Sequence, residues 1–124
     1  MSRKIMVVDD SALSRRTLRR ILEGAGYLVV EAPDGMSALE QYFLERPEVV
    51  FLDLVMSGMY GLDVLQKLRE LDPAARVVVA SADIQSSTRE MVDEAGARCF
   101  INKPFSPENV LGAVETALGG GVGR

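Results

Sequence analysis

The sequence predicts an α/β domain, a doubly wound five-stranded parallel sheet with five helices packed on both faces. Three observations carry this. Five short apolar segments alternate strictly with five segments of helical periodicity, the pattern that right-handed crossovers build into a parallel sheet. The apolar segments, Val49-Val50-Phe51-Leu52 above all, run without polar alternation, as strands covered on both faces do. Turn and cap residues then punctuate every junction.

Taken in order, Lys4 to Asp9 is the first strand and Ser11 to Ala25 the first helix, with Leu18, Ile21, Leu22 and Ala25 forming one buried stripe. Gly24 and Gly26 supply the left-handed residue that commonly ends a helix. Tyr27 to Ala32 is the second strand. Pro33-Asp34-Gly35 leads into a helix that ends before Arg46-Pro47, with its apolar stripe expected along Met36, Leu39 and Phe43. The third strand ends in Asp53, and its loop runs to about Gly61. Leu62 to Leu71 is the third helix, stopped by Asp72-Pro73. Arg76 to Ser81 is the fourth strand. Thr88, Met91, Val92 and Ala95 mark the fourth helix, with Gly96 behind it. Arg98 to Asn102 is the fifth strand, and Lys103-Pro104-Phe105 the turn after it. Ser106-Pro107 reads as an N-cap followed by proline at the first helical position, and Val110, Ala113, Val114 and Ala117 line the last helix. Residues 1–118 are expected to form one domain and 119–124 a flexible Gly-rich tail or the start of a linker.

Composition removes several function classes. A net charge of −4 argues against unaided nucleic-acid binding. No apolar stretch approaches the length of a membrane span, and Met1-Ser2-Arg3-Lys4 runs into a strand rather than a signal peptide. Cys99 stands alone, which excludes an internal disulfide and fits a reducing, cytoplasmic location. The chain has no histidine. Triads built on histidine and His-ligated zinc are therefore ruled out.

The strand ends are chemically uneven. The first ends in Asp9-Asp10, the third in Asp53, the fourth in Ser81 and the fifth in Lys103. In a parallel sheet these ends share one edge, where ligands of open α/β sheets bind. Three carboxylates there repel one another unless a cation or protons compensate. Oxygen-only ligands select a hard ion, here expected to be Mg²⁺. A carboxylate beside Mg²⁺ and an ammonium is suited to accept a phosphoryl group. Asp53 is accordingly assigned as acceptor, Asp9 and Asp10 as metal holders, and Ser81 and Lys103 as contacts to the phosphoryl oxygens. Singly, each residue has an ordinary alternative: a turn or cap acid, a solvated lysine, a serine bonded to nearby backbone. Their joint placement at successive strand ends is the signal.

Val8-Asp9-Asp10-Ser11, Asp53-Leu54-Val55-Met56 with Gly61 eight residues past the acid, Ser81-Ala82 and Lys103-Pro104-Phe105 together resemble the CheY-like receiver domains of two-component response regulators, over residues 3 to 118. The resemblance implies the flavodoxin-like strand order 2-1-3-4-5. It implies phosphorylation of Asp53 by a histidine kinase, a phosphotransfer protein or a small phosphodonor, with Mg²⁺ required. The backbone carbonyl of Val55 would complete the metal ligands, and the bond between Lys103 and Pro104 would be cis. Ser81 would pair with Phe100 as a switch acting on the fourth helix, fifth strand and last helix, the face offered to an unidentified downstream effector or, on phosphorylation, to a dimer partner. The ordinary alternative for Phe100 is a core aromatic. Such a protein is a phosphoacceptor that assists its own phosphorylation and dephosphorylation rather than an enzyme acting on metabolites.

Departures from the family pattern fall around the acceptor. Ser57 replaces the usual proline, and Tyr60 stands where Asp or Asn is common. Val55 offers no polar side chain to the attacking water, whereas acidic Asp83, two residues past Ser81, could tune it. Arg15, Arg16, Arg19 and Arg20 make the first helix strongly basic. That is either a solvated face balanced by nearby acids or a docking surface for an acidic partner, since this helix resembles the family's kinase-docking surface. A haloacid-dehalogenase-type phosphohydrolase would place its two acids two residues apart, where Asp9 and Asp10 are adjacent. A flavodoxin would need a phosphate loop after the first strand, where Asp9-Asp10-Ser11 would repel a phosphate. A scaffold receiver that is never phosphorylated would not need the full acid, hydroxyl and lysine set.

Overall fold

The computed structural model describes residues 3–56, 60–82 and 86–119. Its elements are β1 (Lys4–Val8), α1 (Ala12–Gly24), β2 (Leu28–Ala32), α2 (Gly35–Glu45), β3 (Val49–Leu52), α3 (Gly61–Leu71), β4 (Val77–Ser81), α4 (Ser86–Glu94), β5 (Cys99–Asn102) and α5 (Pro107–Leu118). All strands are parallel, in the order β2-β1-β3-β4-β5. The expected fold class and strand order are both observed. The tail beyond Gly119 lies outside the described residues. Among the described residues no helix is long and apolar enough to cross a membrane.

The absence of alternation in the strands has a direct cause. Successive strand residues point to opposite faces, and here both faces carry a core. Met6, Val8, Val50, Leu52, Val77 and Val79 pack with Ala38, Tyr42, Leu65, Leu68 and Val92 from α2, α3 and α4. Ile5, Val7, Val49, Phe51, Val78 and Ala80 pack with Leu18 and Leu22 of α1 and with Val110, Ala113, Val114 and Ala117 of α5. All four residues of β3 are fully buried, and Phe51 is the largest of the fully buried side chains among the described residues. Its position in the middle of the sheet is what requires this.

The helix starts follow local chemistry. Ser11, Asp34 and Ser106 cap α1, α2 and α5, each side chain accepting from the backbone N–H three residues on. The left-handed residue after α1 is Gly26, with φ +98°, while Gly24 remains helical and Ala25 is the exposed C-cap.

One expected stripe is corrected. Leu39 is half-buried and packs against the core, but Met36 is 70% exposed and Phe43 43% exposed, and α2 instead buries Gly35, Ala38 and Tyr42. The two sets run in parallel one residue apart, so the helix is turned by about 100° from the expected face. Small residues at Gly35 and Ala38 let α2 lie close against the sheet. Tyr42 then buries its ring and sends its hydroxyl to the Asp72 carboxylate at 2.7 Å. In α4 the same kind of correction is smaller: Val92 is buried and Ala95 half-buried, but Met91 is 48% exposed.

Gly61 opens α3 against the chain that leaves β3. A Cβ there would collide with backbone atoms, the Asp53 carbonyl oxygen and the Leu54 Cα. Backbone cannot swing aside as a side chain can. Gly61→Ala is therefore expected to cost about 1–3 kcal/mol, typical of overpacking, visible as a Tm lower by several degrees. An unchanged Tm would mean that this contact relaxes freely.

Candidate functional site

The register of the sheet brings the strand ends together. Val8 pairs with Leu52, and Leu52 with Val79. The next backbone link, Asp53 N–H to the Val8 carbonyl at 3.0 Å, sets Asp53 beside Asp9. On the far side Ser81 pairs with Asn102, and the Lys103 N–H donates to the Ser81 carbonyl at 3.0 Å. β3 is thus flanked at its carboxyl end by an acid from β1 and by a hydroxyl and an ammonium from β4 and β5.

The side chains complete what the backbone arranges. Ser81 Oγ donates to Asp53 Oδ1 at 3.0 Å, and the Val55 N–H reaches the same oxygen at 3.2 Å. Lys103 Nζ bridges two carboxylates, 2.9 Å from Asp9 Oδ2 and 3.2 Å from Asp53 Oδ2. Asp9 Oδ1 also accepts from the Ser11 N–H at 2.9 Å. Asp9, Asp53 and Ser81 are buried, whereas Asp10 is exposed. Carboxylate oxygens of Asp9, Asp10 and Asp53 lie within 4.8 Å of one another. The peptide bond between Lys103 and Pro104 is cis.

Three carboxylates gather at this edge, and the Lys103 ammonium pairs with two of them. Burial raises the Asp9 carboxyl above its ordinary range, Asp53 adds to the rise, and the bonds from Lys103 and the Ser11 amide only partly oppose it. Lys103 is also raised. Burial alone would lower it, but the hydrogen bond to Asp9 and the charges of Asp53 and Asp9 outweigh that. The donor set consists of oxygens alone and matches a hard divalent cation.

The remaining candidates stand elsewhere. Phe100 is half-buried against the core under α2, α3 and α4, opposite Val79, with the Arg89 guanidinium of α4 4.9 Å from its ring centroid. The Val55 side chain is 71% exposed. Tyr60 precedes α3 at the N-cap position without a side-chain cap bond. Ser57 and Asp83 lie outside the described residues. Arg15 and Arg19 turn inward to Glu31 of β2, at 2.9 and 2.7 Å, while Arg16 and Arg20 are exposed. The Arg19 bond holds the Glu31 carboxyl below its ordinary range; burial works against this and the Arg15 bond adds to it. Sequence reasoning missed Glu31 and Arg89. Glu31 carried a usable signal, as a lone acid within the otherwise apolar strand Leu28–Ala32; Arg89 carried none.

A raised Asp9 pKa has a definite sign. Between its unfolded and folded values the native chain binds more protons than the unfolded chain, so metal-free stability falls as pH rises through that window. Asp9→Asn should therefore raise the metal-free Tm at neutral pH by a few degrees and flatten this slope. Thermal melts from mildly acid to neutral pH check it. A lower Tm would show that the bonds to Lys103 and Ser11 outweigh the burial of charge.

The family description "Response regulator receiver domain" matches residues 5–115. The chemotaxis protein CheY of Thermotoga maritima is 37% identical over 115 residues, covering 92% of this chain and 96% of that protein. CheY of Bacillus subtilis is 37% identical over 119 residues, 95% of this chain and 99% of the other. The CheY-like receiver domain protein from Methanospirillum hungatei superposes with a TM-score of 0.91 at 24% identity, over 97% of this chain and 96% of that one, which speaks to the fold. With this fold, this edge of converging side chains and these relatives, the chain belongs to the response regulator receiver domain family.

Proposed function

We propose that this protein is a phosphorylation-controlled switch in which Asp53 accepts a phosphoryl group, in a Mg²⁺-dependent reaction, from a histidine kinase, a phosphotransfer protein or a small phosphodonor. The observation that carries the reading is that Asp53 is buried yet has donors on both oxygens, Ser81 on one and Lys103 on the other. An oxygen of Asp53 attacks phosphorus, and the bond from phosphorus to the donor's leaving group breaks. Lys103 Nζ and Ser81 Oγ then turn from the carboxylate to the phosphoryl oxygens, whose charge they stabilise. Asp9, Asp10, Asp53 and the Val55 carbonyl would hold Mg²⁺, which supplies further compensation for phosphoryl charge.

The same hydroxyl supplies the switch. Ser81 and Phe100 belong to neighbouring strands, with Phe100 opposite Val79, two residues before Ser81. Movement of Ser81 toward the phosphoryl group would free space for Phe100 to turn inward, away from Arg89, and so change the surface of α4, β5 and α5. That surface is where a downstream effector or a second phosphorylated copy would bind. The reaction is self-assisted phosphoryl acceptance and loss, and the output is a change of partner.

Acetyl phosphate with Mg²⁺ tests this directly. Intact mass spectrometry should find one phosphoryl adduct per chain, stable to acid and labile to base, and absent from Asp53→Asn. Ser81→Ala should still accept the phosphoryl group but lose the surface change, read as a missing shift of α4 and β5 amide signals. Rapid turnover of varied phosphomonoesters without a stable adduct would instead indicate a phosphohydrolase.

Docking of an acidic kinase surface on α1 would fall to Arg16 and Arg20, because Arg15 and Arg19 already serve Glu31. Reversing Arg16 and Arg20 to Glu should slow phosphotransfer from the kinase roughly tenfold or more, the scale on which rim charges alter association, and leave the acetyl phosphate rate unchanged. Equal slowing with both donors would remove α1 from the docking surface.

A further inference from the structure

We infer that Arg15, braced by Glu31, is a positioning residue for the metal-holding turn, so that cation affinity depends on an ion pair that touches no metal. The inference rests on the Mg²⁺ reading above. Arg15 sits just past the start of α1, and its guanidinium turns back toward the strand edge. Nη1 donates to the carbonyl oxygen of Asp9 at 2.6 Å, and Nε donates to Glu31 Oε1 at 2.9 Å. Glu31 is held in turn from its other side: Arg19 Nη1 donates to Oε2 at 2.7 Å, and Arg19 Nε reaches Glu23 Oε2 at 2.9 Å. A chain of charge-assisted bonds thus runs from β2 through α1 to the end of β1.

The bonded atom gives this chain its importance. The Asp9 carbonyl belongs to the peptide that joins Asp9 to Asp10, and that peptide is planar. Fixing its oxygen fixes the plane from which both carboxylates project. The Arg15 side chain is 17% exposed and that of Glu31 29%, so the pair is more sheltered than an ordinary surface bridge. The planar fork of the guanidinium suits one group that must hold a carbonyl and a carboxylate at once, and a lysine ammonium does not offer that geometry.

Charge and position predict opposite signs. The Arg15 charge, close to the acidic cluster, repels a divalent cation, so its removal should tighten binding if charge alone mattered. If Arg15 orients the turn, its removal should weaken binding, as loss of groups that orient metal ligands does, by about tenfold.

Calorimetric titration of the intact chain with MgCl₂ decides between them, with circular dichroism confirming the fold. Arg15→Gln is expected to raise the Mg²⁺ Kd about tenfold. Arg15→Lys, which keeps the charge but loses the fork, should also bind more weakly. Unchanged or tighter binding by Arg15→Gln would overturn the positioning role while leaving the Mg²⁺ reading intact. Should that variant not fold, an unchanged Kd in Arg15→Lys would do the same. Failure of the wild-type chain to bind Mg²⁺ would overturn both together.

Discussion

The structure turns on the contact of Lys103 with two carboxylates at once, Asp9 at 2.9 Å and Asp53 at 3.2 Å. Two acids buried side by side at the end of adjacent strands are costly unless something positive shares the space. The Lys103 ammonium meets that need for both of them. On the proposed reading, the oxygens of Asp9, Asp10 and Asp53 would hold a divalent ion at this edge. Lys103 can play this part because the backbone of β5 is locked to β4 through its own N–H and the Ser81 carbonyl. The ammonium and the hydroxyl therefore arrive together.

The order of strands converts this local charge problem into a signalling geometry. Placing β3 in the middle sets the buried Asp53 with β1 on one side and β4 on the other. The side toward β1 supplies acids and the side toward β4 supplies donors. On the proposed reading, a metal would be held on one flank of Asp53, and phosphoryl oxygens would meet hydrogen-bond donors on the other. The donor flank continues along β4 and β5 to Phe100 and Arg89, the route that the proposed switch at Ser81 would use. The acid flank continues through Asp9 to Arg15 and Glu31, which suits it to holding a shape rather than changing one.

How much of this could be read from the chain follows from how local each signal is. The unbroken apolar runs and the caps at Ser11, Asp34 and Ser106 depend on nearest neighbours along the chain, and they placed every element to within a residue or two. The acids, Ser81 and Lys103 were legible because strand ends in a parallel sheet are bound to share an edge. The phase of α2 was not legible. Met36, Leu39 and Phe43 form as good an apolar series as Gly35, Ala38 and Tyr42, and the choice was made by how closely the helix approaches the sheet and by the bond from Tyr42 to Asp72. Both are tertiary facts. The inward turn of Arg15 and Arg19 was hidden for a similar reason: four arginines on one helix look alike until β2 supplies Glu31 beneath two of them.

That division of the arginines bears on how the family's surface and interior constrain each other. On α1, neighbouring residues of one type stand in two different surroundings. Arg15 and Arg19, four apart, lie one above the other on one face, and each donates to a different oxygen of Glu31. This engages both oxygens of the carboxylate and offsets part of the repulsion between the two charges. Arg16 and Arg20, also four apart, are rotated by about 100° from them and are left exposed. A one-residue shift of the basic pairs thus separates the arginines bonded to Glu31 from those left exposed, and replacing members of the two pairs should produce effects of different kinds.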